Sequence, residues 1–201
     1  LYTVKTFHNR SVITTLKPLM GADTSIISLQ NGVESHELLG SVLGPSNIMP
    51  GAYWASAHVQ TPGVISEDVL SKISFGEIEV TESLRALDIR KVFRDAGIEA
   101  DISTDPVQVL WQKFVVHSSL AGVTSAAQTR AGELLKFPDA RKMFLDAMEE
   151  ALAVGIARGI DLSKNLAQES LEWIDTLPDF QVSMHGDFEA GRVTELDALS
   201  G

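Results

Sequence analysis

The 201 residues contain no cysteine, which rules out a disulfide framework and any thiolate metal site. They contain no run approaching the roughly 20 apolar residues of a membrane span, and no basic stretch leading into an apolar core of the signal-peptide kind. Positive charge is scarce: 16 Lys and Arg stand against 27 Asp and Glu, a formal net charge of −11. Nucleic acids and anionic membranes are held through clustered basic side chains, so both are excluded as main partners, while a small anion in a local basic pocket is not. The histidines His8, His36, His58, His117 and His185 are scattered, and no pair has zinc-motif spacing, so no metal is expected. No fixed-period repeat or low-complexity tract occurs. The 44% hydrophobic and 21% charged content is that of an ordinary globular chain, long enough for one large core or two smaller ones, and suits the cytoplasm.

The first half alternates strand and helix signals. "LYTVKTF" is β-rich, "SVITTLKPLMG" has helical spacing with a Gly stop, "TSIISLQ" reads as a strand, "ESHELLGSVLG" as a helix and "NIMPGAYWASAHV" as β structure. This alternation predicts a parallel sheet flanked by helices. After the Thr61-Pro62-Gly63 turn, "VISEDVLSKISFGEI" reads as edge strands, followed by a helix over "SLRALDIRKVFRDAG" and a short strand "IEADIST". From Pro106 onward every segment has helical spacing, with Pro138 at a helix start and Gly159 at a stop. The expected division is therefore 1–105 as an α/β domain and 106–201 as an all-helical one, with a ligand cleft where the two meet. The opening on a strand already under way at Leu1, and the close on the start of a helix in "ELDALSG", lead us to expect that both ends are missing.

Three places carry chemistry. Gln30, Asn31 and Gly32 follow the apolar run Ile26-Ile27-Ser28-Leu29, at the strand edge where open α/β sheets collect ligands and the next helix offers free N–H donors. The alternative is a plain turn, since Asn-Gly tolerates positive φ. Lys113, in "VLWQKFVV", is surrounded by bulky apolar residues, and desolvation there would lower its pKa and make it a proton donor. His117 lies one turn on, on the same helix face, so the two could present donors to one oxygen; the alternative is an interfacial Lys whose ammonium reaches water beside a solvated His. The third place is "SMHGDFEAGRVTELDALSG". Here Ser183 and Thr194 are candidate N-caps and Gly191 a C′ residue, but Ser183, Asp187, Arg192 and Glu195 are many polar groups in a short space, and capping does not account for Arg192 with Glu195.

Taken together, "VKTF", "LQNGV", "TPGVI" with "FGE", "LWQKF" and the closing segment resemble the ketopantoate reductase (2-dehydropantoate 2-reductase) family, in order and spacing, from end to end. The long pattern S-M-x-x-D-x-x-x-G-R-x-T-E is the specific part. The resemblance implies a Rossmann-type NADP-binding domain, here without its N-terminal part, followed by an all-α domain like that of 6-phosphogluconate dehydrogenase. It implies NADPH as cofactor, a 2-oxo acid as substrate and Lys113 as the donor of the proton that neutralises the forming alkoxide. It places Glu195 in the catalytic site, Ser183 on the substrate, Asp187 at the family's aspartate, Asn31 beside the nicotinamide and Lys5 near the cofactor; Gln30 and Gly32, at the same corner as Asn31, complete the expected cofactor-binding set. His117 joins the substrate-binding set.

Two departures accompany the likeness. His117 and Ala121 stand where the pantothenate-pathway enzymes usually carry two asparagines, so a changed pocket and a paralogue with another 2-oxo acid are expected alternatives. No G-x-G-x-x-G occurs in these residues, so the 201-residue chain alone is expected to bind NADPH weakly or not at all. Two other readings stay open: a non-catalytic relative acting through dimer contacts of its helical half, with a homodimer as the assembly, and a dehydrogenase using a His-centred acid.

Overall fold

The computed structural model describes residues 1–79, 83–177 and 179–201; of residues 58 and 67–71 only the backbone enters the description. The chain divides into two compact units, residues 1–54 with 71–110, and residues 55–70 with 111–201.

The first unit is built on a sheet, two strands of which continue into residues 55–70 of the second unit. In chain order come α1 (Asn9–Val12), β1 (Ile26–Ser28), α2 (Ser35–Leu43), β2 (Ile48–Thr61), β3 (Val64–Phe75), α3 (Leu84–Asp95) and β4 (Glu99–Ile102), and the strands lie in the order β1-β2-β3-β4. β1 pairs with β2 in parallel, Ile26 opposite Ile48 and Ile27 opposite Met49. β3 pairs with β4 in parallel, Ile73 opposite Ala100 and Phe75 opposite Ile102. Alternate side chains face opposite ways. Ile27, Met49, Ile73, Phe75 and Ala100 pack with Ala86 and Phe93 of α3, while Ile26 and Ile48 pack with Tyr2, Ile13 and α2 residues Leu39 and Leu43. Helices thus cover both faces, and all three residues of β1, Ile26, Ile27 and Ser28, are buried.

The expected parallel sheet needs correcting to a mixed one. β2 and β3 are joined by only Pro62 and Gly63, and so short a link allows only a hairpin; Gly63, at φ 85°, has the conformation a Pro-Gly type II turn requires. The stretch read as edge strands is one strand, and it lies between β2 and β4. At its end Gly76 must be glycine, because a Cβ there would lie 2.3 Å from the Ser103 carbonyl oxygen. Glu77, next in the "FGE" motif, accepts from Arg85 Nε at 2.9 Å and from Ser83, whose hydroxyl also caps α3 by accepting from Ala86 N.

The N-terminal segment is also less of a strand than expected. Tyr2 alone bridges β1, through Tyr2 N to Ile27 O and Leu29 N to Tyr2 O; the ladder stops because the Gln30 side-chain amide takes the Val4 carbonyl. "SVITTLKPLMG" forms 3-10 turns over Ile13–Leu19, after a single α turn, α1, with Pro18 lacking the N–H a longer α-helix would use.

Beyond β4 no strand occurs among the described residues, only α4 (Pro106–Ala127), α5 (Ala131–Leu134), α6 (Pro138–Ala157), α7 (Leu166–Asp175), α8 (Ser183–Glu189) and α9 (Leu196–Leu199). Pro138 opens α6, and Gly159, at φ 84°, follows its end, as the sequence indicated. The second unit's core runs along α6 at Phe144, Met148, Leu152 and Gly155, a spacing that keeps one face inward. Gly155 admits Trp111 and Leu162, each of which would come within 3 Å of a Cβ at that position. Arg141 pairs with Asp175, joining α6 to α7 at 2.7 Å through Nη1. No helix among the described residues is long and apolar enough to cross a membrane.

Candidate active site

The second unit brings Lys113 and Glu195 together. Lys113 lies on α4, where the neighbouring Trp111, Val115 and Val116 are buried. The residue as a whole keeps intermediate exposure, yet its ammonium is desolvated, and that desolvation pushes its pKa down to about 8 against the opposing pull of the Glu195 carboxylate. Glu195 is 5% exposed and occupies the position before the first residue of α9. The two elements run alongside each other: beyond the Lys113–Glu195 pair, a Cβ on Gly122 of α4 would touch Ser200 Oγ at 3.7 Å. A buried carboxylate beside a desolvated ammonium keeps the lysine cationic at neutral pH while leaving its proton loosely held.

The path from α8 to Glu195 is shaped by Arg192. Gly191 N donates to Phe188 O at 3.0 Å and Arg192 N to Asp187 O at 2.8 Å, a Schellman closure made possible by Gly191 at φ 63°. The Arg192 side chain then folds back, Nε donating to Asp187 Oδ1 at 2.8 Å and Nη2 to Gly186 O at 3.3 Å. Asp187, 8% exposed, therefore anchors the turn that delivers Glu195. The capping expected of Ser183 and Thr194 is corrected here: Val182 and Glu195 occupy the N-cap positions, and neither helix has a side-chain cap bond. Ser183 is instead the first residue of α8 and is exposed. His117 lies one turn after Lys113 on α4 with intermediate exposure, and Ala121 is fully buried.

In the first unit, Gln30, Asn31 and Gly32 follow β1. Gly32, at φ 82°, supplies the turn, and Asn31 keeps partial exposure. Gln30 is 6% exposed, and its amide nitrogen donates to Val4 O at 2.6 Å and Asn9 Oδ1 at 2.8 Å. Tyr2 OH donates to the same Asn9 oxygen at 2.9 Å. Sequence reasoning missed Tyr2 and Asn9 because they lie on no periodic pattern. It also missed the Asp187–Arg192 pair, for which the i, i+5 separation across a glycine was the available signal. Among the described residues no cluster of three His, Asp or Glu side chains could hold a metal.

Residues 1–79 match the family model described as ketopantoate reductase PanE/ApbA, and residues 105–201 match the model of its C-terminal part. The chain belongs to the ketopantoate reductase family. It is 27% identical to the 2-dehydropantoate 2-reductase of Caulobacter vibrioides, over all of this chain and 67% of that protein. It is 22% identical to that of Halobacterium salinarum, over 88% of this chain and 58% of the relative. Among solved structures it matches the 2-dehydropantoate 2-reductase of Geobacter metallireducens at 26% identity with a TM-score of 0.91, over 98% of this chain and 66% of that one. The ternary structure of D-mandelate dehydrogenase with NADH and anilino(oxo)acetate shares the fold, with a TM-score of 0.87 at 18% identity over 99% of this chain and 67% of that one. The chain thus spans roughly six-tenths to two-thirds of the length of these proteins.

Proposed function

We propose that this chain carries the catalytic lysine of a nicotinamide-dependent reductase that converts a 2-oxo acid into the 2-hydroxy acid, with 2-dehydropantoate, in pantothenate synthesis, as the first substrate to test. The observation that supports this best is Lys113, a cation with its pKa down at about 8 beside buried Glu195, on a segment that matches the family. Reduced nicotinamide, when bound, supplies the hydride that adds to the carbonyl carbon. Lys113 Nζ holds a proton toward the carbonyl oxygen and gives it up as the hydroxyl forms; Glu195 keeps that ammonium charged until then. Ser183, exposed at the start of α8, and His117 are assigned to the substrate, and Asp187 acts beside them through Arg192. The cofactor assignment is NADPH, with Lys5, Asn31 and Gly32 as its contacts and Gln30 behind them. A cation and an amide at the C-terminal end of a parallel strand are a fitting donor set for such a ligand. We further propose a division at residue 105 between the cofactor and substrate domains, a cytoplasmic location and a homodimer; a solved relative from Staphylococcus aureus is described as a dimeric ketopantoate reductase.

A second reading, a paralogue for a different 2-oxo acid, is favoured by His117 and fully buried Ala121 on α4, and by the likeness to D-mandelate dehydrogenase. One experiment separates them: NADPH oxidation followed by absorbance, using the complete gene product, with 2-dehydropantoate and a panel of branched and aromatic 2-oxo acids, Lys113→Ala serving as control. Turnover of 2-dehydropantoate that collapses in the variant supports the first reading, and preference for another acid supports the second. No turnover of any acid rejects both in favour of a non-catalytic relative. In the same assay Asn31→Ala raises the Michaelis constant for cofactor or slows turnover; unchanged kinetics would remove Asn31 from the site.

A further inference from the structure

We infer that Gln30, with Asn9 and Tyr2, forms a positioning device for the cofactor side of the site: their buried hydrogen bonds fix Lys5 and Asn31 relative to one another. The inference rests on the assignment of Lys5 and Asn31 to the cofactor made above. One amide group makes the connection. Gln30 is covalently next to Asn31, and its Nε2 donates at 2.6 Å to the carbonyl of Val4, the residue next to Lys5. The other hydrogen on Nε2 goes to Asn9 Oδ1 at 2.8 Å, where Tyr2 OH also donates at 2.9 Å. Tyr2 itself is fastened on both sides of its peptide, Tyr2 N to Ile27 O at 2.8 Å and Leu29 N to Tyr2 O at 3.1 Å. Residues 2 to 9, with Lys5 in their middle, are therefore tied to the end of β1 at three points.

The orientation of the amide is dictated by its neighbours. Both groups facing it are acceptors, so nitrogen must point toward them and Oε1 away. That oxygen is buried and has no hydrogen-bond partner among the described residues. A methionine would fill the same space without stranding a carbonyl oxygen, so burial alone does not call for an amide here. What the amide adds is two donors, and both are spent on the segment that carries Lys5. Gln30 thereby serves the site through its neighbours and not by touching the ligand.

The test uses the complete gene product, with NADPH affinity read by fluorescence titration and thermal melting recorded alongside. Gln30→Met should weaken NADPH binding about tenfold, as should Lys5→Ala, while the double variant is no more than about twofold worse than Lys5→Ala alone, because residues acting through one another are not additive. Tyr2→Phe, which removes only the outermost hydroxyl, should weaken binding about threefold and supplies the answer if Gln30→Met does not fold. Unchanged affinity in both variants, or a double variant weaker by the full product of about a hundredfold, overturns the inference. Wild-type protein that binds NADPH but reduces no 2-oxo acid sinks the proposed activity, and the titration still decides the role of Gln30. Wild-type protein that binds no NADPH overturns both.

Discussion

At the corner after β1 the polar side chains are neutral, and direct hydrogen bonds among Tyr2, Asn9, Gln30 and the Val4 carbonyl hold them. In the second unit the key side chains are charged, and the property that matters is how poorly Lys113 is solvated. Neutral bonds of this kind fix positions and do not respond to pH, especially since burial pushes the Tyr2 phenol up, away from ionisation. A desolvated ammonium beside Glu195 is the opposite device, because its proton is held only loosely. The difference matches what the proposed reaction asks of each region, a fixed cofactor contact in one and a transferable proton in the other.

Variants can break this comparison, in decreasing order of effect. Lys113→Ala should lower kcat by about 10² to 10⁴, the usual contribution of a positioned acid, with little change in NADPH affinity measured by titration. Arg192→Ala should lower kcat about tenfold, because the turn carrying Glu195 loses its tie to Asp187 and the carboxylate shifts. The same change should cost about 1 kcal/mol, discounted for the exposed guanidinium, and lower Tm by about 2–4 °C in a melting scan. Tyr2→Phe should also cost about 1 kcal/mol, and if the corner is neutral as described, that loss stays constant in melts between about pH 6 and 9. Lys91→Ala removes an exposed pair with Asp95 on α3 and should move Tm by less than about 2 °C, separating ordinary surface charge from the buried pair.

Much of this was legible in the sequence, for identifiable reasons. Apolar runs and the Pro138 and Gly159 boundaries gave the strands flanking the corner and the helical second half, and the bulky neighbours of Lys113 gave its desolvation. β3 was not legible as one long strand, because "SEDV" interrupts the apolar alternation and a strand between two others looks like an edge when its middle is polar. The segment "LYTVKTF" has β-rich composition, yet only Tyr2 joins the ladder, since a side-chain amide 26 residues away claims the Val4 carbonyl. Ser183 and Thr194 have the chemistry of caps, but capping depends on backbone angles at a single residue, and Val182 and Glu195 occupy those positions. Long-range side-chain bonds such as Gln30 to Asn9 and the fold-back of Arg192 leave no periodic mark.

The most direct test of the central claim is the pH dependence of kcat for 2-oxo acid reduction, in the wild type and in Glu195→Gln. Reduction needs Lys113 protonated, so the rate should be level below its pKa and fall as pH rises through about 8. Glu195 raises that pKa, so removing its charge should move the falling limb to lower pH, by about one unit. A rate that stays level to about pH 10, or a limb that Glu195→Gln leaves in place, would contradict the assignment of Lys113 as a proton donor tuned by Glu195.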